Sequence, residues 1–480
     1  YDNFDLNDYL AVSDEKQAEL DQITDTDEYN TALAAAQYEQ WRNKAISDTY
    51  EPGSVFKIIT LATALEANVV SESSTFYCGG SITVLGRDAD DPINCWKTTG
   101  HGTQTLAEAA QIYCNVALVE IGLLIGAKTS WDYYHRFGLF DETGIDLGGE
   151  ADSQWWDEDT FCDPDNESSL AAASFGQTFN VTPLQMITAV SAAANGGYLL
   201  KPYVVSSVTD ASGNVVLSNE RTVVRQVISE ETSKRVCAIL ESVVSADGGT
   251  GKNAYVAGYR IAGKTGTTTK TATEAATGKK EYMVSFCGIA PADDPQYAIL
   301  VILDNPSQDS GIYVSGGNMV APVVGGMFSE ILPYMGVEPE YTEDEKATAD
   351  VIMPSLVDTG LSDAESQLGD LGLDVRVVGD GDTVTAQLPA ANAEIVPGTT
   401  VILYTGGAPP GDQVSVPDLS DMTVAEAREA LQSVGLFLNS SGATGSSAVV
   451  SKQYTDAGEQ VAYGSVIKVT FSDSSIQGQY

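Results

Sequence analysis

The chain has 480 residues and carries 67 acidic against 24 basic side chains, a net charge of −43, which sets it against any nucleic-acid partner. Hydrophobic residues make up 43 %, with aromatic residues throughout, which excludes a disordered chain and allows one large domain with one or two small ones. No apolar run reaches the roughly eighteen residues of a membrane span; the nearest, Val116 to Ala127, is broken by Glu120 and reads as a buried helix.

The N-terminal stretch is acidic and helix-leaning, with Ala32 to Tyr38 followed by Trp41. Pro52-Gly53 then turns sharply into Val55 to Leu65, apolar on nearly every face, which predicts a buried helix with Ser54 at or near its N-cap. Cys78 and Cys95 flank a hairpin predicted from Ser81–Leu85 to Pro92–Asn94; the pair is either bridged, if the domain is exported, or left as two thiols. Further helices are predicted over Leu106 to Gly126, Pro183 to Asn195 (ended by Gly196-Gly197) and Glu230 to Ser245. Strand signals follow at Tyr259–Thr268, Met283–Ala290 and Tyr297–Leu303, the last two joined by the polar turn that begins at Pro291. Cys114, Cys237 and Cys287 lie in apolar segments and read as small core residues. Strands beside several buried helices predict an α+β architecture.

Beyond an acidic linker predicted over 338–350, the chain repeats itself. Met353-Pro354-Ser355-Leu356 is echoed by Val416-Pro417-Asp418-Leu419, and Ala364, Leu368 and Gly372 by Ala427, Leu431 and Gly435 at the same offset. Each unit reads as one amphipathic helix with short strands, with a Gly-rich join from Gly406 to Gly411, so two tandem modules are predicted.

Ser54 and Lys57 lie three residues apart, on one face if the segment is helical. A serine hydroxyl is a poor nucleophile without a base. Apolar neighbours and the helix N-terminus both depress the Lys57 pKa, so that a neutral amine can take the serine proton. Far downstream, Lys264-Thr265-Gly266-Thr267 offers a cation and a hydroxyl to a substrate carboxylate, with a glycine where an extended peptide can lie along a strand edge. With only His101 and His135 in the chain, a Ser-His-Asp triad or a His-rich metal site is not expected.

The run from Trp41 to Lys57, then Tyr113-Cys114-Asn115, then Lys264-Thr265-Gly266-Thr267 resembles the class B penicillin-binding proteins. Gly176-Gln177, Val181 to Gln185, Ala194 to Tyr198 and Lys201-Pro202-Tyr203 fit the same family, as does His101, which inherits no role. The repeats resemble PASTA domains. This resemblance implies a transpeptidase domain over 1–340, an antiparallel sheet with flanking helices, then two small β-α-β-β modules over 350–408 and 413–475. Its first residues resemble sequence that follows the first strand of the catalytic sheet, so a longer protein with an N-terminal membrane anchor is expected, facing the outside of the cell membrane of a Gram-positive cell. The implied reaction is D,D-transpeptidation in division or sporulation, with Ser54 as nucleophile, Lys57 as base and Lys264 as a second catalytic lysine. Asn115, Thr265, Gly266 and Thr267 would bind substrate, and the backbone N–H groups of Ser54 and Thr267 would form the oxyanion hole. Tyr113 departs from the family, standing where a proton-relaying serine is expected; its phenol can still reach Lys57 and Lys264. No metal or organic cofactor is implied. Partners implied are stem peptides, the lipid-linked precursor, β-lactams and a membrane glycosyltransferase. The alternative is a catalytically impaired scaffold that binds cell wall through its PASTA units. A β-lactamase is disfavoured, because Ala171 stands where Glu167-Ser168-Ser169-Leu170 would need a following asparagine.

Overall fold

A computed structural model describes residues 4–246, 248–270, 278–308, 312–337, 339–340, 351–395, 400–406, 413–443 and 447–473. The expected acidic linker and the Gly-rich join lie largely outside these residues. Helix α1 (Thr26–Trp41) starts at Asp25, whose carboxylate accepts the N–H groups of Asp27 and Glu28. A 3₁₀ turn, Gly53–Phe56, leads into α2 (Lys57–Glu66), buried on every face as far as Leu65. Ser54 stands inside that turn, near the helix start as expected, and no side-chain capping bond is made there. The tighter winding eclipses residues i and i+3, so Ser54 and Lys57 still share a face.

Strands β1 (Thr75–Cys78) and β2 (Gly102–Thr105) pair antiparallel with Cys78 opposite Gly102. The expected hairpin between them is short, Ser81–Ile82 against Ile93–Asn94. The single helix expected over 106–126 is broken. Helices α3 (Leu106–Gln111) and α4 (Asn115–Ile125) part at Tyr113, whose φ is 62°. In a continuous helix the Tyr113 carbonyl would bond to the N–H of residue 117. Here it accepts from the Lys57 ammonium at 3.1 Å, and the Cys114 sulfur takes the Ala117 N–H instead. This tertiary contact comes where helix propensity is weakest, at Tyr113-Cys114-Asn115.

Helices α5 (Pro183–Ala194) and α6 (Glu230–Ser245) precede the central sheet of β3 (Ala262–Thr269), β4 (Tyr282–Ala290) and β5 (Tyr297–Asp304). Its order is β5-β4-β3, all antiparallel, with Lys264 opposite Cys287 and Thr267 opposite Val284. Side chains alternate between two cores. Cys287, Ile289, Leu300 and Ile302 face the core shared with α2, α5 and most of α6. Val284, Phe286, Val301 and Leu303 face α7 (Ala321–Tyr334) through Val324, Phe328 and Leu332. An antiparallel sheet thus lies between helical layers, the expected α+β class.

Beyond it, α8 (Leu361–Asp370), β6 (Asp374–Val378), β7 (Ala386–Leu388) and β8 (Thr400–Tyr404) form one module with strand order β6-β8-β7. The second repeats it with α9 (Val424–Ser433), β9 (Phe437–Gly442), β10 (Val449–Gln453) and β11 (Val466–Ser472), where β9 is parallel and β10 antiparallel to β11. The echoed residues Ala364 and Leu368, Ala427 and Leu431 sit at the centre of the two cores.

Candidate active site

Two glycines set the nucleophile's position. Gly53 (φ 54°) donates its N–H to Gly176 O at 2.9 Å, and a Cβ on Gly176 (φ 86°) would overlap Gly53 O. A Cβ on Gly53 would overlap Thr268 Oγ1 of β3. The turn bearing Ser54 is therefore pressed between the Gly176 loop and the Lys-Thr-Gly strand at distances only glycine allows. Ser54 itself is half-buried. Gly266 serves the same packing: a Cβ there would overlap Ser285 Oγ and crowd Pro52 O and Val55.

Lys57 is buried at the first position of α2 and forms no ion pair among the described residues. Its Nζ donates to Asn115 Oδ1 at 2.8 Å and to Tyr113 O at 3.1 Å. Burial brings its pKa down to about 8, against a smaller opposing pull from the Cys95 and Cys114 thiols. Asn115 is fixed at both ends of its carboxamide, Nδ2 donating to Asn94 O at 3.3 Å. Lys264 is also buried, and its pKa is held well below the usual lysine range by burial and then by the Lys57 charge.

Tyr113 stands between the two lysines. Lys264 Nζ lies 3.0 Å from the ring centroid and Lys57 Nζ 5.7 Å from it. The phenol, which the sequence left within reach of both lysines, makes its hydrogen bonds to Thr265 instead. It accepts the Thr265 N–H at 3.1 Å and contacts Thr265 Oγ1. The reason is reach: the left-handed backbone at Tyr113 turns its carbonyl to Lys57 and sends the long side chain across to β3. Thr267 Oγ1 accepts from Gly316 N–H at 3.2 Å, and Gly316 packs so closely on Gly266 O and Ser285 O that a Cβ would overlap both. Sequence reasoning missed Gly316 and Ser285; the signal was the Ser315-Gly316-Gly317 turn.

The structure thus brings Ser54, Lys57, Tyr113, Asn115, Lys264, Thr265, Gly266 and Thr267 into one region. A hydroxyl one turn from a lysine that can be neutral, beside a Lys-Thr pair suited to a carboxylate, can carry out acyl transfer. Next to Lys57, Cys78, Cys95, His101 and Cys114 gather into a set of donors that could hold a metal ion.

Residues 9–324 match the penicillin binding protein transpeptidase domain, and 351–407 and 414–473 each match the PASTA domain. Stage V sporulation protein D of Bacillus subtilis is 39 % identical over 370 residues, 76 % of this chain and 55 % of that protein. Peptidoglycan D,D-transpeptidase FtsI of Escherichia coli is 30 % identical over 308 residues, 64 % of this chain and 48 % of that protein. The chain spans about half the length of these curated relatives. Among solved structures, penicillin binding protein 3 of Mycobacterium tuberculosis complexed with aztreonam aligns with a TM-score of 0.55 at 28 % identity, over 64 % of this chain and 67 % of that one. Penicillin Binding Protein 2X of Streptococcus thermophilus, at 21 % identity, shares the fold over 90 % of this chain and 62 % of its own, with a TM-score of 0.53.

Proposed function

The chain belongs to the class B penicillin-binding proteins, a transpeptidase domain followed by two PASTA domains, and from that premise we propose that it is a serine D,D-transpeptidase of peptidoglycan. The observation that carries the reading is Lys57: a buried lysine with a pKa of about 8, aimed by Tyr113 O and Asn115 Oδ1, one turn from a serine held by glycine packing. Ser54 Oγ attacks the carbonyl between the two terminal D-alanines of a stem peptide while Lys57 takes its proton. The C–N bond breaks, the proton passes to the leaving amine, and D-alanine departs. The amine of a neighbouring stem then attacks the acyl-serine ester and restores the Ser54 hydroxyl; water in its place gives carboxypeptidase action. Asn115 holds the substrate amide, Thr265, Gly266 and Thr267 bind its carboxylate end, and Lys264 is the second catalytic lysine. The Ser54 and Thr267 N–H groups bind the oxyanion. A β-lactam acylates the same oxygen through its ring amide, and no amine leaves.

The division into 1–340, 350–408 and 413–475, a place on the outer face of the membrane of a Gram-positive cell behind an N-terminal anchor, and partnership with lipid-linked precursor and a glycosyltransferase belong to the same reading. One observation favours a second: the Tyr113 hydroxyl occupies Thr265, as in a site closed to carboxylates, and a wall-binding scaffold would need no more. Intact-mass analysis after incubation with a fluorescent penicillin separates the two. One adduct per chain, lost in Ser54→Ala, supports the enzyme; folded protein without an adduct leaves the scaffold.

A further inference from the structure

Four side chains that transpeptidation does not use converge beside Lys57. They are Cys78 at the end of β1, Cys95 just after Ile93–Asn94, His101 in the turn before β2, and Cys114 at the start of α4. One ligand atom from each lies within 4.8 Å of all the others. Cys95 Sγ stands 4.0 Å from Cys114 Sγ and 3.6 Å from His101 Nδ1. A tetrahedral ion with Zn–S near 2.3 Å and Zn–N near 2.1 Å requires donors about 3.5 to 3.8 Å apart. The cluster therefore has the size of a metal site, while the cysteines are free thiols.

The surrounding backbone is built to this end. Gly80 (φ 103°) and Gly100 (φ 80°) let the segments carrying Cys78 and His101 cross so closely that a Cβ on either would overlap a carbonyl, Thr98 O or Cys78 O. The Ala117 N–H faces the Cys114 sulfur at 3.4 Å. Trp96 packs edge-on against His101 at 4.8 Å, and the three cysteines are buried. As mere core residues, three thiols would not need an imidazole nitrogen turned toward them.

We propose that Cys78, Cys95, His101 and Cys114 bind one Zn²⁺ in a closed tetrahedral site, and that the ion fixes the Tyr113-Cys114-Asn115 break against Lys57. The sequence had placed Cys114 in the core, left Cys78 and Cys95 as a possible bridge, and implied a metal-free enzyme. Three sulfurs and one nitrogen select a soft, tetrahedral ion, and four protein ligands leave no open position for substrate, so the site is structural. Its link to function is covalent adjacency. Anchoring Cys114 holds the Tyr113 carbonyl and Asn115 Oδ1, the two acceptors that aim the Lys57 ammonium. The positioning half of this inference rests on the transpeptidase reading; the metal half does not.

The test is elemental mass spectrometry on the full chain, purified reduced, reconstituted with Zn²⁺ and desalted. One zinc per chain is expected, lost in Cys95→Ser. Should that variant fail to fold, Co²⁺ reconstitution of the unmutated chain supplies a second reading, the visible bands of tetrahedral cobalt with thiolate charge transfer. A folded, reduced chain that takes up neither metal overturns the site, as does freshly purified protein lighter by two hydrogens with Cys95 and Cys114 joined and no zinc bound. For positioning, chelation is expected to slow acylation at saturating penicillin several-fold in protein that circular dichroism shows to be folded, with Zn²⁺ but not Mg²⁺ restoring it. An unchanged acylation rate after full zinc removal overturns the positioning role. Bound zinc without any Ser54 adduct overturns the transpeptidase reading and leaves the metal site standing.

Discussion

Lys57 can act as a base only as the free amine, and its pKa of about 8 places that change within easy reach of experiment. Below it most of the lysine is ammonium, so the acylation rate constant should rise about tenfold per pH unit, then level off above about pH 8. Stopped-flow acylation by a fluorescent penicillin measures this, and a flat profile would remove Lys57 as the base. Tyr113 yields a second test. Because its hydroxyl engages Thr265 rather than a lysine, Tyr113→Phe should keep the saturated acylation rate within about threefold. The same variant frees Thr265 Oγ1 for the substrate carboxylate, so the half-saturating penicillin concentration should fall. A collapse of the saturated rate would instead make the phenol a proton relay. The Ser54–Lys57 and Lys264–Thr267 pairs were legible because each is local in sequence. The place of the Tyr113 hydroxyl was not, since it depends on a backbone φ of 62° that no residue type announces.

The central sheet was legible because β4 and β5 alternate apolar residues on both faces, the pattern of strands covered on both sides. Phe286 shows what that burial is worth. It lies fully buried among Val244, Val324 and Phe328, and Gly263 lacks the side chain that would strike its ring. Phe286→Ala should destabilise the domain by about 3–5 kcal/mol, read as a lowered denaturant midpoint at unchanged slope. A loss under about 1 kcal/mol would mean that α7 collapses onto the sheet to fill the gap. Helices are less legible where another element claims a backbone group. Residues 106–125 carry one continuous helical signal, yet Lys57 takes the Tyr113 carbonyl and splits it. The cysteine cluster was hidden for a similar reason. Its four donors come from two strand ends, a turn and a helix start, and only the folded backbone brings them together.

At the scale of the whole chain, the order of transpeptidase domain and two repeats could be read from the echoed prolines and leucines, but not how the units touch. Glu394–Ile395 of the first PASTA unit pairs with β9 of the second, so the two share a sheet. The second unit meets the transpeptidase domain through Lys468 with Glu330 and through Asn253, whose Nδ2 donates to Gly317 O at 2.9 Å while its Oδ1 accepts the Asp473 N–H at 3.0 Å. These two contacts differ in weight. The ion pair is partly exposed and should contribute about 0–1 kcal/mol. Asn253 is fully buried, and its loss removes the buried partners of a carbonyl and an N–H group, which costs about 1–3 kcal/mol. Asn253→Ala should therefore loosen the PASTA units from the transpeptidase domain and raise the radius of gyration seen by small-angle X-ray scattering, whereas Lys468→Ala should leave it unchanged. If the two variants scatter alike, the buried carboxamide does not hold the units together, and the shared packing of α7 against β9 is what joins them.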